Sequence, residues 1–173
     1  MSGFASTFLL ALILSGCSTP DSPTSSQMSD QDPAQVYMNN LEPVPCETIQ
    51  AGTVSGIARR SRLVIQSNEE WIAFWNRHAS RQRPVSEPPA VDFDNQTVLA
   101  VLMGQQSSGG YSIEIQSVYQ VDGALEVNVM EREPDRNVMT ISALTAPFHL
   151  VAIPKWEKEI RFNKEPRSTQ LRW

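Results

Sequence analysis

Histidine and cysteine are scarce in this 173-residue sequence, which has two of each. His78 and His149 lie far apart along the chain, and neither is accompanied by a cluster of cysteines or carboxylates. Sites for zinc or iron usually draw several ligands from closely spaced His, Cys, Asp and Glu residues. The sequence therefore predicts no metal site, and we expect no other cofactor.

Long apolar segments are also missing. Phe8–Leu14 is shorter than the roughly 20 residues that a membrane-spanning helix needs, but it suits the apolar core of a secretory signal. Residues 1–16 contain no Lys or Arg, although such signals usually begin with a basic region. The run leads into Leu14-Ser-Gly-Cys17, which resembles the bacterial lipoprotein signal, in which the thiol takes the lipid. We expect a signal peptide over residues 1–16 and lipidation at Cys17; an ordinary secretory signal with an incidental Cys is the alternative.

Apolar residues are nearly absent from the stretch that follows, Ser18–Pro33, which is rich in Ser, Pro and Asp. Such a composition cannot bury enough apolar surface to offset the entropy lost on ordering. We expect residues 17–40 to be a disordered tether that holds a folded domain, residues 41–173, at a membrane. In lipoproteins, Asp directly after the lipidated Cys is the usual inner-membrane retention signal. Ser18 stands there instead, so the resemblance implies the outer membrane of a bacterial cell envelope.

Basic residues are outnumbered, because 14 Lys and Arg stand against 19 Asp and Glu and give a net charge of −5. This balance argues against a general nucleic-acid-binding protein, which would carry a basic patch. Arginines are frequent in residues 59–83, so a basic face is an alternative to a solvated surface of mixed charge. If Cys17 carries lipid, Cys46 has no partner within the chain, and it either pairs with another chain or stays a free thiol.

One helix has the clearest pattern in the sequence. Ser67-Asn-Glu-Glu70 has the form of a capping box, with a capping Ser and a Glu three residues later. Residues of one helix face then recur at i, i+3, i+4 and i+7: Trp71, Phe74, Trp75 and His78, with Ile72 and Ala79 widening that face. We predict a helix over residues 68–80 whose aromatic face packs into the core. His78 is expected to be a packed, hydrogen-bonded side chain rather than a base.

Most of the remaining sequence suits β-strands, through a two-residue period or a short apolar run. The predicted strands are Arg62–Gln66, Thr97–Met103, Tyr111–Ile115 with Val118 shortly after, Leu125–Met130, Phe148–Ile153 and Glu159–Phe162. Thr97–Met103 is continuously apolar, as expected for a strand that is buried on both faces. Asp122-Gly123 is a strong signal for a tight turn between two strands. One helix among many strands predicts an α+β domain with a mainly antiparallel, sandwich-like sheet arrangement.

Residues 104–112, Gly-Gln-Gln-Ser-Ser-Gly-Gly-Tyr-Ser, stand between two predicted strands. A phosphate-binding loop would open a helix and usually carry a Lys. A nucleophile elbow would read Gly-x-Ser-x-Gly before a helix. Here a strand pattern follows, no Lys is near, and a serine nucleophile would need one of only two histidines as its base. We therefore expect no enzyme.

The plain interpretation of this stretch is a connection between strands in which glycines supply backbone angles closed to other residues. Charge is absent from Leu99 through Ile113, and an aromatic residue follows the glycine pair. A neutral loop that ends in an aromatic residue suits a protein-contact surface. The candidate contact residues are Gly104, Ser107, Ser108, Gly109, Gly110, Tyr111 and Ser112, with Tyr111 as the anchor.

Short motifs spread over residues 47–154 form a family resemblance. They are Gly52-Thr-Val-Ser-Gly56, Glu70-Trp71 with Trp75 and His78, Val91-Asp-Phe93, Val98-Leu-Ala-Val101, Gly104, Gly109-Gly-Tyr-Ser-Ile113, Pro147 and Ile153-Pro154. Together they resemble the PrcB C-terminal domain family, named after a lipoprotein subunit of a bacterial surface protease complex. The resemblance implies a non-catalytic lipoprotein that stabilises or assists a protease. Ser107-Ser108 stands where many members have Pro-Thr.

A second similarity concerns the same loop. Gly109-Gly-Tyr111 is similar to one loop of the chagasin-like inhibitors of cysteine proteases, whose two other inhibitor loops have no match here. The leading hypothesis is a membrane-tethered, non-enzymatic protein-binding module whose partner is an envelope protease or another envelope protein. The alternatives are a protease inhibitor, a structural envelope lipoprotein, and a small-ligand sensor or enzyme.

Overall fold

The computed structural model of the protein describes residues 41–135, 137 and 139–164. The predicted signal peptide, Cys17 and the predicted tether over residues 17–40 lie outside these residues. The elements in chain order are β1 (Glu42–Pro43), β2 (Glu47–Gly52), β3 (Ser61–Ile65), α1 (Asn68–His78), a short 3₁₀ helix (Ala79–Arg81), β4 (Gln96–Leu102), β5 (Ser112–Val121), β6 (Ala124–Arg132), β7 (Phe148–Pro154) and β8 (Ile160–Lys164).

Within this part of the chain, the strands form two four-stranded sheets. The first sheet has the order β1-β5-β6-β8 and the second the order β2-β7-β4-β3. Every pairing is antiparallel except that of β6 with β8, which is parallel. The predicted α+β class with mainly antiparallel strands is therefore confirmed. The sequence patterns did not predict β1 or β2.

The second sheet lies between the first sheet and helix α1, which makes three layers. Its strand β4 places Leu99 and Val101 in the core between the two sheets. Val98 and Ala100, which point to the opposite face, pack in the core beneath the helix. All four side chains are fully buried, so the prediction that this strand is buried on both faces is confirmed.

Helix α1 begins where the capping box predicted. The Ser67 hydroxyl accepts a hydrogen bond from the Glu70 backbone N–H, and the Glu70 carboxylate accepts one from the backbone N–H of Gln66. The predicted aromatic face is buried as expected. Ile72 is an exception, because it is 43% exposed; it faces solvent rather than widening the apolar face. The α-helix also ends at His78, two residues early, and the chain continues as the 3₁₀ turn.

Strand β5 explains an irregularity in the apolar pattern. Ile115 and Val118 belong to the same buried cluster although they are an odd number of positions apart. A register shift after Ile115 accommodates them, because an extra residue in a β-bulge restores the side chains to one face. The turn into β6 has Asp122 and Gly123 at φ values of 49° and 79°. This left-handed pair is typical of a two-residue hairpin turn, as Asp-Gly predicted.

Candidate functional site

The glycine-rich loop joins β4 of the second sheet to β5 of the first sheet. Its first residue, Gly104, has a φ of 78°, and a Cβ there would lie 2.7 Å from Arg60 N and 2.8 Å from Ala58 O. The Gln105 N–H donates to Ala58 O at 2.9 Å, and Arg81 donates to the Gln105 side-chain oxygen at 3.1 Å. Close backbone contact with residues 58–60 therefore requires glycine at position 104 and fixes the start of the loop.

Residues 106–109 of the loop pair with a distant segment that precedes β7. Gln106 and Thr145 exchange two backbone hydrogen bonds, with N–O distances of 2.7 and 3.1 Å. The Thr145 hydroxyl donates to Ser108 O at 2.8 Å, and the Gly109 N–H donates to Ile141 O at 3.0 Å. Four hydrogen bonds thus hold the two segments side by side. We call residues 104–112 and 139–145 together the paired-loop surface.

The glycine pair makes this close approach possible. A Cβ at Gly109 would lie 2.8 Å from the Ile141 side chain, so a larger residue would displace that isoleucine. Gly110 has a φ of 86°, and a Cβ there would lie 2.8 Å from the Pro134 side chain. Both glycines are therefore explained by packing, and Gly110 also by its left-handed backbone.

The predicted contact residues differ in their exposure. Ser107, Gly110 and Ser112 are exposed, whereas Gly104 and Gly109 are buried and Ser108 is half-buried. Tyr111, the predicted anchor, is half-buried and packs against the core between the two sheets. Its ring therefore supports the fold at the same place where the loop reaches the surface.

Sequence reasoning missed the most exposed apolar side chains of this region. Met139, Ile141 and Leu144 are 101%, 71% and 62% exposed, and they are half of the large hydrophobic side chains that lie exposed in the described residues. No Asp, Glu, Lys or Arg occurs in residues 139–154. The only sequence signal was a run of apolar and small polar residues without a strand or helix period, which resembles an ordinary loop.

Both histidines are buried and hydrogen-bonded. Ser55 Oγ lies 3.1 Å from His78 Nδ1, but the serine is 1% exposed and the histidine is fully buried. Gln50 Oε1 and Gln82 Nε2 lie 3.2 and 3.1 Å from His78 Nε2. Burial lowers the pKa of His78 to about 4. The predicted role of His78 as a packed, hydrogen-bonded core residue is confirmed.

His149 bridges the two sheets. Its Nδ1 accepts a hydrogen bond from the Ile115 N–H at 2.9 Å, which leaves the proton of the neutral ring on Nε2. Nε2 lies 3.0 Å from the Thr48 hydroxyl oxygen and so donates to it. A ring that donates to a hydroxyl cannot take its proton, so Thr48 is not activated as a nucleophile. Burial lowers the pKa of His149, against an opposing effect of the Glu114 charge.

The single described thiol, Cys46, is free and on an exposed residue. Its Sγ donates to Val44 O at 3.4 Å. Desolvation of the sulfur raises the pKa of the Cys46 thiol, an effect that a backbone hydrogen bond from Val118 reduces. The thiol is therefore protonated at neutral pH and is a weak nucleophile.

Two further properties concern metals and membranes. In the described part of the chain, no three His, Cys, Asp or Glu side chains are grouped so that they could hold a metal ion. Among the same residues, no helix combines the length and the apolar character needed to cross a bilayer.

A comparison with known families gives a match over part of the chain. Residues 97–154 match the family model described as PrcB C-terminal, a range that runs from β4 to the end of β7 and includes the whole paired-loop surface. Helix α1 and the motif Gly52–Gly56 lie outside the matched range. No curated protein and no solved structure matches the chain. The match over residues 97–154 supports the resemblance of this chain to the PrcB C-terminal family.

Proposed function

We propose that this protein is a non-catalytic module of the bacterial cell envelope that binds another envelope protein through its paired-loop surface. A protease complex is the partner class that the family resemblance implies, with this chain as an assisting or stabilising subunit. The observation that carries the proposal is the exposure of three large apolar side chains, Met139, Ile141 and Leu144, in the segment that pairs with the glycine-rich loop.

Apolar side chains in water are a source of binding energy. Burial of apolar surface contributes roughly 25 cal/mol per Å², and clustered exposure of this kind is typical of interaction sites rather than of free surface. The cores of protein interfaces are also depleted of charged residues. The paired-loop surface fits both properties, because residues 104–112 and 139–145 contain no Asp, Glu, Lys or Arg.

The surface is also held in place before any partner binds. The exchange between Gln106 and Thr145 and the bonds to Ser108 O and Ile141 O restrain both segments. A restrained loop loses less conformational entropy when it binds than a free one does. The same bonds direct the Ile141 side chain outward over Gly109, where 71% of it meets solvent.

The chemistry of the described residues supports a binding role rather than catalysis. The Ser55–His78 pair is enclosed, and His149 donates to the one hydroxyl that it contacts. Ser107 and Ser108 have neither ring as a hydrogen-bond partner. An acyl-transfer enzyme needs a nucleophile within reach of a base and of a substrate.

Attachment to the membrane is the second part of the proposal. It rests on the resemblance of Leu14-Ser-Gly-Cys17 to a lipoprotein signal and on the composition of residues 17–40. A lipid at Cys17 and a polar tether would hold the folded part at a membrane surface, and Ser18 favours the outer membrane. Both segments lie outside the described residues.

The binding proposal is tested by changing one exposed side chain. We expect Ile141→Asp to abolish capture of the partner from a native envelope extract, because a carboxylate at the centre of the contact would have to be buried without a counter-charge. Ile72→Asp is the matched control, since Ile72 is also exposed but lies on the outer face of helix α1. Thermal melting of both variants would show that each is folded. Tyr111→Ala is a weaker test, because Tyr111 also packs against the core.

The captured protein decides the outcome. A protease subunit that binds the wild-type chain and Ile72→Asp but not Ile141→Asp would support the proposal. Its activity on a chromogenic peptide, with and without this chain, would separate an assisting subunit from the alternative of an inhibitor. Equal capture by both variants, or by neither variant nor the wild-type chain, would refute the paired-loop surface as the contact.

A further inference from the structure

Strand β3 is an edge of the second sheet. Among the described residues it pairs with β4 alone, from Ser61 opposite Leu102 to Ile65 opposite Val98. In an antiparallel strand, alternate residues direct their N–H and C=O groups to the side away from the partner. Within the described part of the chain, the outer side of β3 therefore presents backbone donors and acceptors that no other strand pairs, which is the template for addition of another strand.

Helix α1 forms the wall of a groove beside this edge. The groove has a volume of about 230 Å³ and lies between Leu63 and Ile65 of the strand and Ala73, Phe74 and Arg77 of the helix. Its floor is apolar, because Ile65 and Phe74 belong to the buried cluster beneath the helix. A groove between an edge strand and a helix is the form in which several peptide-binding domains receive an extended segment.

The groove continues past Arg77 into a second concavity of about 480 Å³. Arg77 borders both spaces, and Arg59, Ser61 and Asn76 line the second one. We call the two spaces together the edge groove. The edge groove runs along β3 from Ile65 to Ser61 and ends at residues 58–60, which Gly104 contacts.

The two ends of the edge groove differ in charge. In the described part of the chain, no carboxylate forms an ion pair with Arg59 or Arg77. Among the described residues, the Arg77 guanidinium donates through its Nε–H to Ala73 O. Glu70 lies at the opposite end, beside the start of the helix, and accepts from the Gln66 N–H. The groove is thus positive near Ser61 and negative near Ile65, in a chain with a net charge of −5.

We propose that the free edge of β3 binds an extended peptide segment of a partner protein by strand addition, with acidic residues at the C-terminal end of that segment. The other pairings in this sheet are antiparallel, and an antiparallel addition runs from Ile65 toward Ser61. The acidic end then meets Arg59 and Arg77, and the neutral or basic end meets Glu70. Alternate side chains of the peptide point toward Ala73, where small apolar or β-branched residues fit.

This site goes beyond the paired-loop contact and does not require it. The two regions are neighbours only where Gly104 and Gln105 meet residues 58–60. Main-chain hydrogen bonds would supply affinity for many sequences, and the charge gradient would select the direction of the segment. A protein that binds tails or linkers of other envelope proteins would use such a site.

The test uses the full-length chain and a synthetic peptide, Lys-Thr-Val-Thr-Val-Thr-Glu-Glu, blocked at both ends. The expected result is saturable binding that shifts the backbone amide resonances of residues 61–65 in ¹⁵N spectra. Methylation of the alternate peptide nitrogens that face β3 should abolish binding, because these nitrogens could no longer donate, whereas methylation of the other alternate set should not. The same residues in reversed order should bind roughly tenfold more weakly, because both charged ends would face like charges.

Variants of the chain make the test specific. Arg59→Gln with Arg77→Gln should weaken binding by roughly tenfold, whereas Arg132→Gln, at an exposed arginine of β6 in the other sheet, should leave it unchanged. Three results would overturn the proposal: no binding at millimolar peptide, equal binding of the peptide methylated at the nitrogens that face β3, or resonance shifts confined to residues 104–112 and 139–145. The last result would leave the proposed paired-loop contact intact, and a failure of the Ile141→Asp test would leave the edge groove intact.

Discussion

The stability of this protein should decrease between pH 6.5 and pH 4 in part because the ring of His78 is buried; His149, whose pKa burial also lowers, contributes in the same direction. His78 is fully buried at the end of helix α1, stacked on Phe74 with ring centroids 5.4 Å apart and edge-on to Phe148 at 4.3 Å. Burial lowers its pKa from 6.5 to about 4. In the unfolded chain the ring is solvated and titrates near 6.5.

The direction of this pH dependence follows from how many protons the folded and unfolded states bind. Between pH 4 and pH 6.5 the unfolded state holds a proton on His78 and the folded state does not, so the free energy of unfolding falls as the pH falls. In this interval the free energy of unfolding decreases by about 1.36 kcal/mol for each pH unit by which the pH falls. Over the whole interval the loss is roughly 3 kcal/mol, a large share of the 5–15 kcal/mol that is typical of a folded domain.

The assay is urea unfolding at a series of pH values, with His78→Gln as the test variant and Phe74→Leu as its control. Both variants lose stability at pH 7.5, because both remove a buried ring from the same face of the helix. Only His78→Gln should lose the extra slope of about 1.36 kcal/mol per pH unit relative to the wild type. Equal slopes in His78→Gln and the wild type, or an NMR titration of the His78 ring near pH 6.5, would refute the argument.

Two further predictions concern the glycine pair and the N-terminus. Gly110→Ala should reduce the free energy of unfolding by roughly 2–3 kcal/mol, because it adds a contact with Pro134 to the cost of a left-handed alanine. Gly123→Ala, at a φ of 79° with nothing within 4 Å, should cost only about 1 kcal/mol; equal losses in urea unfolding would show that the contact has no effect. Cys17→Ser should prevent labelling by an alkyne fatty acid and release the protein from the outer-membrane fraction, whereas unchanged labelling would show that the lipid is attached elsewhere or that the signal is of another kind.

Local sequence patterns predicted the helices, turns and strands that are specified by residues close together in the chain. The capping box at Ser67 and the period of the aromatic face specify helix α1, because residues three and four positions apart meet on one face. Asp122-Gly123 specifies its turn, because only a few residue types accept two successive left-handed angles. Thr97–Met103 specifies a doubly buried strand, because no polar residue interrupts its apolar run beyond Thr97.

Other features depended on partners far away in the sequence. Strand β2 carries exposed and half-buried residues in no clear alternation, and its pairing with β7 defines it. Strand β8 follows β7 of the other sheet and pairs in parallel with β6, which its side chains do not reveal. Ile72 lay within reach of the apolar face on a helical wheel, but the second sheet covers only the side occupied by its neighbours.

The candidate site also combines features that the sequence predicted with features that only the tertiary structure shows. By itself, the sequence determined that residues 104–112 are an uncharged, glycine-rich connection between two strands, since composition and motif spacing are local properties. Only the tertiary structure decided that residues 139–145 pair with this loop, that Ile141 points outward while Tyr111 packs inward, and that β3 keeps a free edge beside a charged groove. The physical reason is that strand order, burial and loop pairing are set by which distant segments exclude water together, and a linear pattern does not contain that information.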